Sequence, residues 1–338
     1  MKPDSLVHFK QQVAGHDKLM SIPSNDLILI KPCTKKEHDF YQDALNFPDF
    51  LELIPECYGT LRAATEKEIT MLESSEELSE TIKIDITQND MQNLCLENIL
   101  HGFTRPCILD LKIGSLLYDN TATEEKKQRM IQHSLTTTSS VLGLRICGMK
   151  VYDSVERKYA TYPKAFGKSR TKDTILDALM AYLFPVSHYS KETESYRTYQ
   201  DDTDTIENAV HQKIPTKYMQ WVIECFIDTL TEIREAVIEH PNLELIGSSL
   251  LFVYEGDRSA ADATWKFMLN EDKQKESSQA DTETEEDENA PKMCDVRLID
   301  FAHSSWHASR ETQDPELIKG FDNMLELLEA CLQRQQTI

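Results

Sequence analysis

Short runs in which apolar residues alternate with polar ones fill the first third of the chain: LILIK at 27–31, CYGTLRAAT at 57–65, NLCLENI at 93–99 and CILDLKI at 107–113. A period of two sends successive side chains to opposite faces of an extended backbone, so each run predicts a strand. Farther along the period lengthens. Residues 125–135, 171–184 and 215–239 carry apolar positions three and four apart, the spacing of one helix face. In the longest of these Tyr218, Val222, Cys225, Phe226, Thr229, Ile233 and Val237 share a side, with Pro215 at the start. Strand-like runs return at 243–254 and 295–301, and a last helix is predicted at about 315–334. The outline is an α+β chain of two lobes, a small β-rich one over 1–100 and a larger mixed one over 101–338.

Two stretches follow neither period. EDKQKESSQADTETEEDENAP, residues 271–291, has no regular apolar positions and cannot bury enough surface to offset its ordering entropy, which predicts a disordered insertion between two strands. Residues 190–205 read as a second, shorter loop.

Charge sharpens this division. The formal net charge is −22, with pI near 4.9, which argues against a general nucleic-acid-binding surface. The acid is concentrated in residues 66–97, 191–207 and 270–289, whereas residues 112–172 hold twelve Lys or Arg against five acids. One basic block thus sits inside an acidic protein. With 40% hydrophobic residues there is material for a real core. No run approaches the roughly 18 apolar residues of a membrane span and no apolar leader is visible, so a soluble intracellular protein is expected. The eight cysteines are never spaced as CxxC and sit mostly in apolar runs, favouring reduced core thiols over disulfides or zinc.

Candidate chemistry falls on three segments. In PCILDLKIG, 106–114, alternation puts Leu109, Leu111 and Ile113 on one face and Asp110 with Lys112 on the other; a cleft or an exposed strand face with a charge pair are both open readings. In RLIDFAHS, 297–304, an apolar run delivers Asp300, a rigidly held hard carboxylate of the kind Mg²⁺ on nucleotide phosphates requires, or a simple turn cap. His303 and His307 are four apart but lack a metal-site context, leaving His303 as a phosphate donor or ordinary surface. Lys31 ends a strand six residues before Glu37, an order that permits an ion pair fixing a phosphate-binding lysine. FGKS at 166–169 ends like a P-loop, but position 162 is Tyr where the first glycine belongs; GxGxxG and HRD are absent.

PCILDLKIG resembles the PxxxDxKxG signature of the inositol polyphosphate kinases, and QVAGH at 12–16, SSLLFVYEG at 248–256 and IDFAHS at 299–304 follow that family's order. Within the family the chain looks most like the fungal multikinases. The resemblance implies a two-lobed, ATP-grasp-like fold related to protein kinases, with ATP between the lobes. QVAGH then covers the phosphates, Lys31 binds them, the main chain of Glu97 and Ile99 contacts adenine at a hinge near 97–99, and Asp300 holds Mg²⁺. Asp110 is implied either near the ribose or as a base, and Lys112 as the charge-neutralising catalytic residue. The inositol-phosphate-binding segment is implied over 115–170, centred on Lys126, Lys127, Gln128, Arg129, Met130, Ile131, Gln132 and His133, with Lys150, Lys164 and His303 completing it. On a helix only Lys126, Arg129, Met130 and His133 of that run share a side.

The implied activity is phosphorylation of inositol 1,4,5-trisphosphate at its 6- and 3-hydroxyls by a monomeric enzyme. An inositol hexakisphosphate kinase is the alternative within the family, and a non-catalytic acidic scaffold the alternative outside it. Nuclear residence, and transcription-factor partners in arginine-responsive regulation bound through the acidic segments, rest on the resemblance alone.

Overall fold

The computed structural model describes residues 6–15, 18–61, 92–186, 191–201, 213–277 and 290–335. Strands β1 (Val7–His8), β2 (Met20–Ile22), β3 (Asn25–Cys33), β4 (Cys57–Leu61) and β5 (Gln92–Glu97) form an antiparallel sheet in the order β1-β2-β3-β5-β4. Helix α1 (Lys35–Ala44) leaves this sheet directly after β3. The Thr34 side chain accepts from the Glu37 amide and caps its start. A single turn, α2 (Pro48–Leu51), follows.

The second sheet contains β6 (Pro106–Ile113), β7 (Leu144–Asp153), β8 (Lys158–Tyr162), β9 (Thr198–Asp201), β11 (Ser249–Glu255) and β12 (Cys294–Ile299), in the order β12-β11-β6-β7-β8-β9. A separate two-stranded ribbon pairs β10 (Leu243–Glu244) with β13 (Ser305–Trp306). Helices α3 (Glu124–Leu135), α4 (Thr138–Leu142), α5 (Lys164–Ser169), α6 (Ile175–Leu183), α7 (Lys191–Glu194), α8 (Thr216–Glu239), α9 (Arg258–Ser277) and α10 (Pro315–Gln335) pack around it. The architecture is the two-lobed α+β one expected.

The core lies on one face of the large sheet. Leu109, Leu111 and Ile113 of β6, all at most 1% exposed, join Phe226 of α8, Phe252 of β11 and Phe321 of α10. The alternation that buries them turns Asp110 and Lys112 toward the small sheet.

Several expectations change. The run 243–254 is two strands, interrupted around Gly247, whose φ of +67° lies in the left-handed region. Residues 258–270, with Ala261 buried and Trp265 half-buried, belong to α9, and the acidic stretch read as an insertion from 271 begins as the continuation of that helix to Ser277. It therefore separates a helix from a strand, not two strands. Residues 190–205 likewise include α7 and β9. Segments 62–91, 202–212 and 278–289, and His16 of QVAGH, lie outside the described residues, and so do most of the acidic positions of the three acid-rich segments.

Candidate active site

A cavity of about 780 Å³ lies between the two sheets, within the range of small-molecule sites. Strand β6 sets its long axis. Ile108, Asp110 and Lys112, at alternate positions, all line it, and span roughly 13 Å at the rise of a strand. Around the Ile108 end, Leu29, Leu96 and Ile99 make an apolar slot. Ile99 is 4% exposed, yet among the described residues neither its amide nor its carbonyl makes a hydrogen bond. A buried main chain left open beside an apolar slot suits a flat heteroaromatic ring with its own donors and acceptors. Gln12, Val13, Ala14 and Gly15 of QVAGH border the cavity, as do Glu97 and Asn98.

The middle of the cavity holds an ion-paired cluster. Lys31 on β3 places Nζ 2.7 Å from Glu37 Oε1 on α1 and 2.6 Å from Asp300 Oδ1. Burial works against the ammonium, but Asp300 and Glu37 outweigh it and raise its pKa above the usual lysine value. Glu37, 1% exposed, also accepts from the Phe301 amide at 3.2 Å. Phe301 stacks on Phe40 of α1 with ring centroids 4.2 Å apart. These contacts hold Asp300 at φ +65°, a left-handed conformation that a non-glycine residue adopts at a cost.

Asp110 faces that cluster with its Oδ1 enclosed and without a hydrogen-bond partner among the described residues. Burial, reinforced by the Asp300 charge, pushes its carboxyl up to about 6. Two carboxylates in electrostatic conflict, one with an unmatched oxygen, fit a hard divalent cation. The shift also has a stability consequence. The folded pKa exceeds the usual 3.8, so this group's contribution is fully present below about pH 4 and is lost as pH rises through 6. Asp110→Asn is expected to gain Tm relative to wild type as pH rises from 4 to 6, because only wild type loses this group's contribution over that range. Glu255, pushed up to about 7 by burial, slopes the same way in both proteins and cancels in the comparison. A variant with the wild-type slope would show that Asp110 is not the titrating group.

At the Lys112 end the lining becomes cationic. Lys126, Arg129, Met130 and His133 of α3, Arg145 of β7, and Lys164 and Lys168 of α5 all border the cavity. Lys112 Nζ donates to the Gly247 carbonyl at the break before β11. His303 lines the same space; its Nδ1 lies 2.7 Å from Asp119 Oδ2, which leaves Nε2 to face outward. Asp119 is buried. Burial raises its pKa, but hydrogen bonds from Thr121 and His303 and the Lys36 charge overcome this and hold it below the usual carboxylate range.

The four α3 residues on the predicted face line the cavity, and the other four assigned to the segment do not. Lys127 pairs with Glu124 at 2.7 Å, while Gln128, Ile131 and Gln132 are exposed on the remaining turns, as a period of 3.6 requires. Lys150 is a further correction. It is buried, with Nζ 2.6 Å from Gln11 Oε1 and 4.2 Å from the centre of the Tyr159 ring, beneath the N-terminal loop, and is not among the residues that line the cavity. His303 and His307 share no site: His307 contacts Glu244 and Ser305.

Arg145, Lys168 and Asp119 were not singled out by sequence. FGKS, which resembled the end of a P-loop, is part of α5. Its glycine has a packing role instead: a Cβ on Gly167 would lie 1.9 Å from the Ile146 carbonyl oxygen. That contact holds α5 against β7 so that Lys164 and Lys168, four apart, reach the cavity. Gly167→Ala gains roughly 0.5–1 kcal/mol of helix propensity, but overpacking against backbone costs about 1–3 kcal/mol. The variant is expected to melt several degrees below wild type; an unchanged or higher melting temperature would refute the packing role.

Comparison with known proteins agrees with this geometry. The profile of the inositol polyphosphate kinase family matches residues 93–215 and 191–329. An inositol polyphosphate multikinase of Schizosaccharomyces pombe is 26% identical over 97% of this chain and 98% of its own length. The Saccharomyces cerevisiae inositol polyphosphate multikinase is 28% identical over 94% and 96%. Human inositol hexakisphosphate kinase 3 is 26% identical over 70% of this chain and 50% of its own length. A crystal structure of the S. cerevisiae inositol phosphate multikinase in complex with ADP and Mn²⁺ superposes with a TM-score of 0.60, at 27% identity, over 90% of this chain and 98% of that one. With the family profile covering most of the chain and the multikinases aligning along nearly all of it, the protein belongs to the inositol polyphosphate kinase family.

Proposed function

We propose that the protein is an inositol polyphosphate multikinase that uses ATP and Mg²⁺ to phosphorylate inositol 1,4,5-trisphosphate at its 6- and 3-hydroxyls, giving tetrakis- and pentakisphosphates. The observation that carries this reading is the polarity of one cavity: an apolar slot with open main chain at one end, cations with few acidic partners at the other, and Lys31, Asp110 and Asp300 between them.

In this reading the Ile99 main chain and the apolar slot hold adenine, and Lys31, fixed by Glu37, grips the nucleotide phosphates. Asp110 and Asp300 would hold Mg²⁺, which supplies charge neutralisation on the phosphoryl group. Lys112 stabilises the charge that spreads over the transferred group's oxygens. Lys126, Arg129 and His303 Nε2 orient the ring, so that a free hydroxyl rather than a phosphate meets the γ-phosphorus. The nearly complete alignment with two fungal multikinases, against 70% of the chain for the hexakisphosphate kinase, favours the multikinase over that alternative.

The test is to incubate the purified protein with ATP, Mg²⁺ and a panel of inositol phosphates and to separate the products by anion exchange. Tetrakis- and pentakisphosphates from the trisphosphate are expected. Turnover confined to inositol hexakisphosphate, yielding pyrophosphates, would overturn the assignment.

A further inference from the structure

Every second residue of the run 11–15, between β1 and β2, rests on the larger lobe. The Gln11 side chain accepts from Lys150 Nζ at 2.6 Å, and the Gly15 carbonyl accepts from Lys164 Nζ at 3.2 Å. Between them the Val13 carbonyl lies against Gly148 of β7, where a Cβ would come within 2.7 Å of the carbonyl carbon and closer still to its oxygen. Gly148 has no positive φ, so the position needs the absence of a side chain and not a glycine's backbone freedom. Two further bonds shape the loop from within. The Gln12 side chain donates to the Ala14 carbonyl at 2.8 Å and accepts from the Leu19 amide at 3.1 Å.

The register of β7 fixes what lies beneath this contact. Gly148 stands opposite Asp110, and Lys150 opposite Ile108, in the β6–β7 ladder. Residues directly opposed in a ladder leave the same face, and Ile108 and Asp110 both line the cavity. The missing side chain at 148 therefore leaves room on the cavity side, next to Asp110, and the Val13 main chain takes it. Residues 11–15 border the cavity, so they cover it from the Ile108 end to the Asp110–Asp300 cluster. Lys150 is buried, and a buried ammonium is costly unless it is bonded. Its Nζ lies over the Tyr159 ring and reaches the loop through Gln11.

We propose that Gly148 and Lys150 are positioning residues that seat residues 11–15 over the nucleotide's γ-phosphoryl group, and that this seating keeps water from it. The proposal rests on the kinase reading above, and gives Lys150 a role toward the nucleotide in place of the inositol ring. With the loop unseated, water replaces the ring hydroxyl: its oxygen bonds to the γ-phosphorus, the bond from that phosphorus to the bridging oxygen breaks, ADP leaves with the electron pair, and one proton of the water passes to solvent. The products are ADP and inorganic phosphate.

The experiment compares wild type with Lys150→Met, Gln11→Ala, the two combined, and Gly148→Ala. Calorimetry gives the Kd of ATP and of inositol 1,4,5-trisphosphate, product analysis gives inorganic phosphate released against phosphate transferred, and hydrogen exchange follows the amides of residues 11–15. Lys150→Met is expected to raise the ATP Kd roughly 3- to 30-fold, the loss of one hydrogen bond to a charged group. It should raise the ratio of hydrolysis to transfer at least about 5-fold and speed exchange in 11–15, while the trisphosphate Kd stays within about 2-fold. Gln11→Ala should act alike, and the double variant should be no worse than either, since all three remove one contact. Gly148→Ala lifts the same loop at Val13; should it fail to fold, the Lys150 and Gln11 variants decide alone. An unchanged ATP Kd and hydrolysis ratio in Lys150→Met, fully additive effects in the double variant, or a loss confined to the trisphosphate Kd would overturn the proposal. If wild type transfers phosphate to no inositol phosphate, the kinase reading fails, while the ATP Kd and the amide exchange still decide the seating.

Discussion

Asp300→Asn is expected to lower kcat by about three orders of magnitude or more while the protein keeps its fold. The argument turns on what Asn preserves. Asp300 sits at φ +65°, where Asn is tolerated better than any other non-glycine residue, so the backbone has no reason to move. Alanine there adds a strain of roughly 1–2 kcal/mol and confounds the measurement. The substitution also removes a bond to Lys31, but Glu37 keeps its own at 2.7 Å. Against that loss stands a gain, because Asp300 is the charge that, after burial, pushes Asp110 up to about 6. The two effects oppose one another, and the melting temperature should stay within a few degrees of wild type. What disappears is the anionic oxygen that would face a divalent cation. Single-turnover rates at saturating ATP and trisphosphate read that loss directly. A variant with near-normal turnover would remove Asp300 from the site.

How much of this arrangement was legible in the sequence depends on whether the signal was periodic. The strand period separated Asp110 and Lys112 from Leu109 and Leu111, and the helix period separated Arg129 and His133 from Gln128 and Gln132, because each period is a property of one element. Arg145 and Lys168 carry no such mark. They reach the cavity through the β6–β7 register and through the close approach of Gly167 to the Ile146 backbone, which only tertiary packing creates. Lys150 shows the converse. Its motif matched the family, yet Gln11 of the N-terminal loop takes its ammonium, a contact 139 residues apart in the chain. Similarly, 243–254 looked like one continuous strand, and the turn at Gly247 that splits it is the one whose carbonyl receives Lys112. Helix α9 was hidden because its sequence turns polar and charged from Asn270 onward, so composition outweighed a weak apolar pattern.

Replacing Lys112 with Met keeps the unbranched stem and deletes only the charge, and kcat is expected to fall about 10³-fold, the scale of losing a preorganised electrostatic donor in phosphoryl transfer. The KM for ATP should change less than about 3-fold, since the apolar slot at Ile99 and the Lys31–Glu37 pair lie along the cavity from Lys112 and are built from other elements. Stability should not suffer. Among the described residues the Lys112 ammonium makes one hydrogen bond, to the Gly247 carbonyl, and faces Arg145 across the ladder, so Met removes a like-charge neighbour as well as a bond. The second variant separates charge from placement. Lys112→Arg restores a positive charge on a larger planar group, which cannot place a single compact ammonium where Lys112 meets the Gly247 carbonyl. Arginine is therefore expected to recover only about 10-fold of the loss. Full recovery would mean that the site needs a diffuse positive field and not an ammonium at one point. Unimpaired turnover in the Met variant would mean that the charge on the transferred group is neutralised elsewhere, and Arg145, directly opposite, would become the first residue to test.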